Sequence, residues 1–543
     1  MEHRLDCDVG HMTDSLETAL KYQQAGRLKA AADCCARVLE RQADNSGALQ
    51  LMAFIRFQSG AVEEAEVLVR RALSVAADDT KSLNLLGLIL RDSGRLEAAL
   101  EPLQTAVRLR PDYAEAWNNL GIARMDLQQL VAAEDAFRKA LDLQPANAEI
   151  IANLGICLKE CTDSEAAESL LRKAVDIAPG SSNLTSLAQV LIQQRQHAAA
   201  HDYLQQALAL EPDNALTWLQ YVLTARDDEP AATAIEHLTA LLDRPPRSRE
   251  DSACLHFALG NLYQRTGDFD RAFHHFTRGN LAGRDCSYDP DRFARVVDET
   301  TGVCSAGWLV RNRSMGPVAP RPVFILGLPR TGKSLLEHLL AGHSAIHALG
   351  ESYAMPRALT RAATALDTDL QGLLQRLTPA LATAIRQRYH TLTEPRLPAT
   401  AECTLDTLPA NVRYLGVIAC ALPNARVIVC SRDPLDAGLA MYCKYFGEGH
   451  PYAQGMAHIG NYIRHHERFL AYWREVLPLP LLDVHYEDMV SRPQTTIARV
   501  LVFLGLAADP AVNRETEELH TRYIGLHHLY QAHLEPLQKA LAG

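Results

Sequence analysis

Residues 322–340, PVFILGLPRTGKSLLEHLL, decide the fold of the C-terminal half of this 543-residue chain. The apolar run Val323–Leu326 predicts a buried strand, and the leucine spacing after residue 334 predicts an amphipathic helix. The loop between them, Gly327–Ser334, fits G-x-x-x-x-G-K-[ST], which wraps backbone N–H groups around a phosphate at a helix N-terminus. We therefore predict a site for a phosphate-like anion. The residues expected to bind it are Arg330, Thr331, Gly332, Lys333 and Ser334.

Two further apolar segments of the C-terminal half predict strands. Arg426–Cys430 precedes the polar turn at residues 431–434, SRDP, and Leu481–His485 precedes Tyr486. Helical patterns lie between the predicted strands. Strands that alternate with helices are typical of an α/β domain with a mainly parallel sheet, and we predict this P-loop-like fold for residues 320–543.

The N-terminal half repeats itself every 34 residues. Leu86-Gly87 recurs as Leu120-Gly121 and as Leu154-Gly155, and Pro111 recurs as Pro145 and Pro179. This pattern resembles the tetratricopeptide repeat, in which each unit is a pair of antiparallel helices that must stack on its neighbours. We predict an all-α solenoid over residues 1–280, with helix pairs from about residue 13, a slip in the repeat phase near 182–213 and an irregular stretch at 225–250.

The repeat pattern ends before residue 281, and residues 314–322 are rich in Pro, Gly and Arg. We therefore predict a linker at 281–319 between the array and the C-terminal domain. The groove of such an array favours binding of a protein or peptide, with a passive scaffold or a self-associating surface as the alternatives.

Composition and charge exclude several classes of protein. A net charge of −11 argues against nucleic-acid binding, and the sequence lacks the run of 18 apolar residues expected of a membrane span. Residues 1–20 lack a continuous apolar segment, so we expect no signal peptide. The twelve cysteines contain no C-x-x-C pair, which favours buried thiols in a reducing cytoplasm, and we expect no metal site.

Three segments in order carry a more specific resemblance. Together they resemble the bacterial sulfotransferases that carry tetratricopeptide repeats. The segments are PRTG with the following helix and Gly350-Glu351-Ser352, then LPNARVIVCSRDPLD at 422–436, then LPLLDVHYEDMVSRP at 479–493. They are similar, more distantly, to tyrosylprotein sulfotransferases. The resemblance implies 3′-phosphoadenosine 5′-phosphosulfate (PAPS) as the sulfuryl donor, used without a metal. It implies that residues 330–334 hold the phosphosulfate, that Arg432 binds the 3′-phosphate, and that Glu351 is the catalytic base with Arg330 as the second catalytic residue.

The sequence departs from the family's pattern at several polar positions. Ala440 stands where a serine is usual, Thr407 where a lysine is usual and Leu526 where an arginine is usual, while Lys333 is an added cation. These changes leave open a non-catalytic adaptor with a degenerate sulfotransferase domain. The loop alone would also suit a P-loop nucleotide hydrolase or kinase, which requires an acidic Mg²⁺ ligand such as Asp433 or Asp483.

Overall fold

The computed structural model describes residues 15–127, 129–161, 164–226, 230–245, 248–283, 288–394, 397–398, 400–447, 450–513 and 523–543. The first 14 residues, where no signal peptide is expected, lie outside this description. The chain divides into two compact units, residues 1–160 with 164–179, and residues 161–163 with 180–543. Among the described helices, none combines the length and the apolar character that a membrane span requires.

The first unit consists of helices joined by short turns, as the 34-residue repeat predicts. Consecutive helices pack against each other in pairs, and each pair packs on the next. The helices are α1 Leu16–Gln24, α2 Leu28–Arg41, α3 Ser46–Gln58, α4 Val62–Val75, α5 Thr80–Asp92, α6 Leu96–Leu109, α7 Ala114–Asp126, α8 Leu130–Leu143, α9 Ala148–Glu160 and α10 Ser164–Ile177.

The recurring glycine allows the two helices of a pair to approach closely. A Cβ atom added at Gly121 would lie 2.6 Å from the ring of Phe137, and one at Gly87 would lie 2.4 Å from the side chain of Leu103. Since real Cβ atoms do not approach other atoms so closely, larger side chains at these positions would push the pair apart.

Asparagines that are buried or partly buried join neighbouring repeats of the first unit. The Asn119 amide donates to Asn84 Oδ1 at 2.9 Å, and the Asn153 amide donates to Asn118 Oδ1 at 3.0 Å. Each bond spans 35 positions of sequence, so it links equivalent helices of adjacent repeats. Because a buried amide without a partner is costly, these bonds fix the stacking register of the array.

The second unit begins with further helices joined by short turns. Residues 182–213, where the repeat phase slips, form regular helices, and the stretch 225–250, predicted as irregular, contains a helix. The predicted linker at 281–319 also contains two helices, which the sequence analysis missed. The helices are α11 Ser181–Gln193, α12 His197–Leu210, α13 Ala215–Thr224, α14 Ala231–Leu242, α15 Arg249–Arg265, α16 Phe269–Ala282, α17 Arg292–Val303 and α18 Ala306–Arg311.

A five-stranded parallel sheet follows, which confirms the predicted fold class. Its order is β2-β3-β1-β4-β5, with β1 at the centre. The strands are β1 Arg321–Leu326, β2 Ile346–Ala348, β3 Cys403–Asp406, β4 Arg426–Ser431 and β5 Leu481–His485. Since all strands run in one direction, the residues that follow them meet at one edge of the sheet.

Helices cover both faces of this sheet. They are α19 Lys333–Ala341, α20 Ala354–Ala365, α21 Leu370–Gln375, α22 Pro379–Thr393, α23 Leu415–Ala421, α24 Pro434–Tyr442, α25 Met456–Val476, α26 Tyr486–Ser491, α27 Pro493–Leu504 and α28 Glu535–Ala542. Alternate residues of β1 enter two different cores: Val323 and Ile325 pack with α19 and α27, whereas Phe324 and Leu326 pack with α20, α22 and α23. This alternation explains why the strand is apolar throughout.

A third core joins the last helices of the array to the C-terminal domain. It contains Leu259 and Phe276 from α15 and α16 together with Tyr442, Tyr452 and Leu537 from the domain. Polar contacts accompany it, since the Asn280 amide donates to the carbonyl of Tyr442 at 2.9 Å. The end of the array and the domain therefore belong to one compact unit.

Candidate functional site

The loop between β1 and α19 requires glycine at two positions. Gly327 has φ +140°, and a Cβ atom there would lie 2.3 Å from the carbonyl oxygen of Cys430 on β4. Gly332 has φ +90°, and its Cβ would lie 2.7 Å from Met489 Cε. The loop therefore lies tight against β4 and α26, and it delivers the chain to α19, whose first N–H groups have no intrahelical acceptor.

Lys333 and Thr331 fix the shape of this loop from within. The ammonium of Lys333 donates to the carbonyl of Leu328 at 3.0 Å, and the hydroxyl of Thr331 donates to the same carbonyl at 2.8 Å. Both side chains are buried, and burial lowers the pKa of Lys333, which the charge of Glu351 opposes. Ser334, by contrast, is exposed at the start of α19.

Arg432 lies against the same loop, at the end of β4. Its side chain is 4% exposed and its guanidinium donates to the carbonyls of Arg330 at 3.3 Å and Tyr523 at 2.5 Å. It stacks 4.5 Å from the ring of Tyr486 and lies 3.9 Å from Asp436. Its Nε has no hydrogen-bond partner among the described residues although it is buried. A buried donor without an acceptor is unusual and suits a site that receives an anion.

Glu351 follows β2 and acts electrostatically on the loop. It lies close enough to Lys333 and Lys444 to oppose the fall in the pKa of both ammonium groups. The side chain of Lys444 is exposed to solvent, but protein atoms around its ammonium limit hydration and, together with Arg330, lower its pKa to about 8. The structure thus brings Glu351, Arg330, Lys333 and Arg432 to one edge of the sheet.

A cleft of about 600 Å³ opens beside Arg432. It lies at the carboxyl ends of β1, β4 and β5, where parallel sheets commonly bind ligands. Two polar pairs line its far side: Ser431 Oγ lies 2.9 Å from His485 Nδ1, and Arg474 donates to Asp483 at 2.8 Å. The cleft is large enough for a nucleotide-sized ligand next to the loop.

The sequence analysis missed Glu337, which lies next to Glu351 at this edge. Its carboxylate accepts the N–H of Gly350 at 2.9 Å and lies 3.5 Å from the hydroxyl of Thr407. Burial, reinforced by the charge of Glu351, raises the pKa of Glu337 to about 7. In sequence the residue looks like one polar position of an amphipathic helix, and only the tertiary contact with Gly350 reveals its place.

This raised pKa predicts a pH-dependent stability. A carboxyl whose pKa is higher in the folded protein than in the unfolded chain contributes less stability as pH rises from about 4.5 to about 7. Because Glu337→Gln does not titrate, we expect the free energy of unfolding of the wild type to fall by about 2 kcal/mol relative to that variant between about pH 5 and pH 8. Urea unfolding of both proteins at the two pH values measures this difference, and parallel pH dependence would contradict it.

The acidic residues proposed for a Mg²⁺ site are engaged elsewhere. Asp433 accepts the N–H groups of Leu435 and Asp436 and so caps α24, while Asp483 pairs with Arg474. Asp433, Asp436 and His527 lie within 4.8 Å of one another, but Asp436 accepts N–H groups from Gly525 and His527. We read this cluster as an anchor for the segment after residue 523.

The residues that depart from the family pattern differ in their contacts and exposure. The Thr407 hydroxyl faces Glu337, and Leu526 packs against the core shared with the array. Ala440 is partly exposed on α24, eight positions after Arg432. Asp406, which ends β3, is 1% exposed and binds Leu408 N and the Asn411 amide, so it stabilises the turn after the strand.

Two kinds of family model match different parts of the chain. Residues 322–510 match the model of the sulfotransferase family. Tetratricopeptide-repeat models match residues 22–89, 87–128, 114–147, 148–181 and 182–214.

Among curated proteins, an uncharacterized protein of Aquifex aeolicus (strain VF5) is 25% identical over 334 residues, which are 60% of this chain and 43% of that protein. The chain thus spans less than half the length of this relative. Among solved structures, PilF of Pseudomonas aeruginosa is 20% identical, with a TM-score of 0.34 over 38% of this chain and 92% of that one. A thermophilic tetratricopeptide-repeat protein of Thermus thermophilus, TTC0263, is 19% identical, with a TM-score of 0.30 over 33% of this chain and 98% of that one.

Proposed function

We propose that this chain, which belongs to the sulfotransferases that carry tetratricopeptide repeats, moves a sulfuryl group from PAPS to a hydroxyl acceptor. The observation that carries the proposal is Arg432, a buried guanidinium beside the anion loop whose Nε lacks an acceptor among the described residues. A donor with two separate phosphate groups needs two cationic sites, and the loop at residues 330–334 and Arg432 are such a pair.

In the proposed reaction, the acceptor oxygen forms a bond to sulfur as the bond from sulfur to the bridging phosphate oxygen breaks. Adenosine 3′,5′-bisphosphate leaves, and the acceptor's proton passes to the Glu351 carboxylate. Transfer of this kind is in line through a loose transition state, so catalysis rests on positioning and charge stabilisation. Lys333 and Arg330 supply the charge at the loop, and Glu351 is the base.

We further propose that the repeat array captures the acceptor as part of a protein or peptide. In the first unit, an apolar pocket of about 540 Å³ lies between α2, α3 and α4, with Leu39, Met52 and Leu68 in its wall. Val67→Glu, at an exposed position of the pocket wall, should therefore slow transfer of radiolabelled sulfur to lysate proteins while transfer to a small phenol is unchanged. Equal loss on both acceptors would contradict this role.

The ten described cysteines are free, which supports our placement of the protein in a reducing cytoplasm.

Calorimetric titration tests the donor assignment. Adenosine 3′,5′-bisphosphate should bind the full chain without metal, and ATP with Mg²⁺ should bind more weakly. Tight binding of ATP with Mg²⁺ and none of the bisphosphate would overturn the proposal in favour of a nucleotide hydrolase. Binding of neither would favour an adaptor with a degenerate domain.

Arg432→Ala should weaken binding of the bisphosphate by about 10- to 150-fold. Loss of a charge-assisted contact to a phosphate costs about 1.5–3 kcal/mol, which corresponds to that range. Arg426→Ala is the matched control, because Arg426 lies at the opposite end of the same strand and stacks on Phe503. Equal affinities of the two variants would place the 3′-phosphate away from Arg432.

A further inference from the structure

Glu337 connects three elements of the site that are distant in sequence. It lies on α19, one helical turn after Lys333, and the carboxylate that accepts the Gly350 N–H at 2.9 Å also faces the Thr407 hydroxyl at 3.5 Å. Thr407 in turn donates its own N–H to the carbonyl of Gly350 at 2.9 Å. Both backbone groups of Gly350 are therefore bound, one by the helix after the anion loop and one by the residue after β3.

Gly350 immediately precedes Glu351 and has a backbone that needs this support. Its φ is +67°, in the left-handed region. The preceding residue is also bound, because the Leu349 N–H donates to the carbonyl of Leu405 on β3. The carbonyl of Gly350 also accepts the N–H of Ser352 at 2.9 Å, so the bonds to Glu337 and Thr407 are the ones that tie Gly350, and with it the start of Glu351, to other elements.

We propose that Glu337 is a positioning residue for the transfer reaction, which holds the Gly350–Glu351 loop so that the Glu351 carboxylate faces Lys333 and the anion loop. The inference rests on the proposed function, since it assigns Glu351 as the base. Glu337 itself touches neither donor nor acceptor in this scheme. It acts through an N–H···O bond, so any side chain that presents an acceptor oxygen at the same place should perform the same task.

Two substitutions separate this role from the alternatives. Glu337→Gln keeps an acceptor oxygen and loses the charge, whereas Glu337→Leu keeps the approximate volume and loses the acceptor. We expect kcat to fall by about 10- to 100-fold in Glu337→Leu, because a small displacement of a catalytic group has costs of this size. The bisphosphate affinity should be unchanged, and kcat of Glu337→Gln should stay near that of the wild type.

Hydrogen–deuterium exchange of the segment 346–353 reports the same contact without requiring turnover. Exchange at the Gly350 amide should rise by about tenfold or more in Glu337→Leu and stay near the wild-type rate in Glu337→Gln. If the protein binds no bisphosphate, the proposed function is refuted. The exchange rate of the Gly350 amide would still show whether Glu337 holds the Gly350–Glu351 loop.

Several outcomes would overturn the proposal. Unchanged exchange and kcat in Glu337→Leu would show that Gly350 does not need the bond. Equal loss of kcat in both variants would mean that the charge matters rather than the acceptor. A parallel loss of kcat and bisphosphate affinity would mean a general structural role.

If Glu337→Leu does not fold, Thr407→Val is the alternative variant, because it removes the second contact to the Glu337 carboxylate. Thr407→Val should lower kcat by about threefold at unchanged bisphosphate affinity. An unchanged kcat would refute the positioning role of Glu337.

Discussion

Glu351→Gln is expected to lower turnover by about 10²–10⁴ while donor affinity is retained. The glutamine is nearly isosteric but cannot accept the proton of the acceptor hydroxyl. Because Glu351 lies near Lys333 and Lys444, removal of its negative charge leaves the anion site more positive. Binding of the bisphosphate should therefore be equal to that of the wild type or slightly tighter.

The measurement pairs steady-state kinetics with calorimetry of the bisphosphate. Glu394→Gln is a suitable control, since this glutamate is exposed at the end of α22 and takes no part in the site. Near-normal turnover of Glu351→Gln would assign the base to another group at this edge of the sheet.

A fragment of residues 320–543 is expected not to fold, whereas residues 180–543 should fold and bind the bisphosphate. The shorter fragment lacks α15 and α16, whose Leu259 and Phe276 pack against Tyr442 and Leu537. Each large apolar side chain exposed by the cut costs about 1.5–3 kcal/mol. Several such losses together exceed the net stability of a typical domain, about 5–15 kcal/mol.

The longer fragment retains the whole shared core. Its new N-terminus falls at the boundary between the two compact units, and a repeat array tolerates the loss of terminal repeats because each repeat contacts only its neighbours. Circular dichroism during urea unfolding, together with bisphosphate titration, compares the two fragments. Cooperative unfolding and full bisphosphate affinity of residues 320–543 would show that the shared core is dispensable.

Much of the fold follows from local patterns in the sequence. β1 and β4 contain runs of four or more apolar residues, β5 contains three apolar residues followed by a recognisable helix start, and the repeat helices recur in phase, so these elements were predicted. β2 and β3 were missed because they have only three and four residues and include His347, Thr404 and Asp406. Their strand conformation comes from pairing, since β3 lies between β1 and β2.

The candidate site was predictable only where its chemistry lies in one segment. The anion loop is contiguous, whereas the guanidinium of Arg432 binds the carbonyl of Tyr523, 91 residues later in the sequence. Glu337 reaches Gly350 because the chain turns back through β2 after α19. Periodicity reports which residues are apolar, and it carries no information on which polar groups meet across elements.

The core that joins α15 and α16 to the domain also restricts how this architecture can change over evolutionary time. Whole 34-residue units can be duplicated or deleted ahead of residue 180, because such events alter only the length of the repeat array. A duplication placed after Phe276 would separate that side chain from Tyr442 and Leu537, and would disrupt the core of the C-terminal domain. We therefore expect lineages of this protein to differ in repeat number at the N-terminal side while the last helix pair is inherited together with the transferase domain.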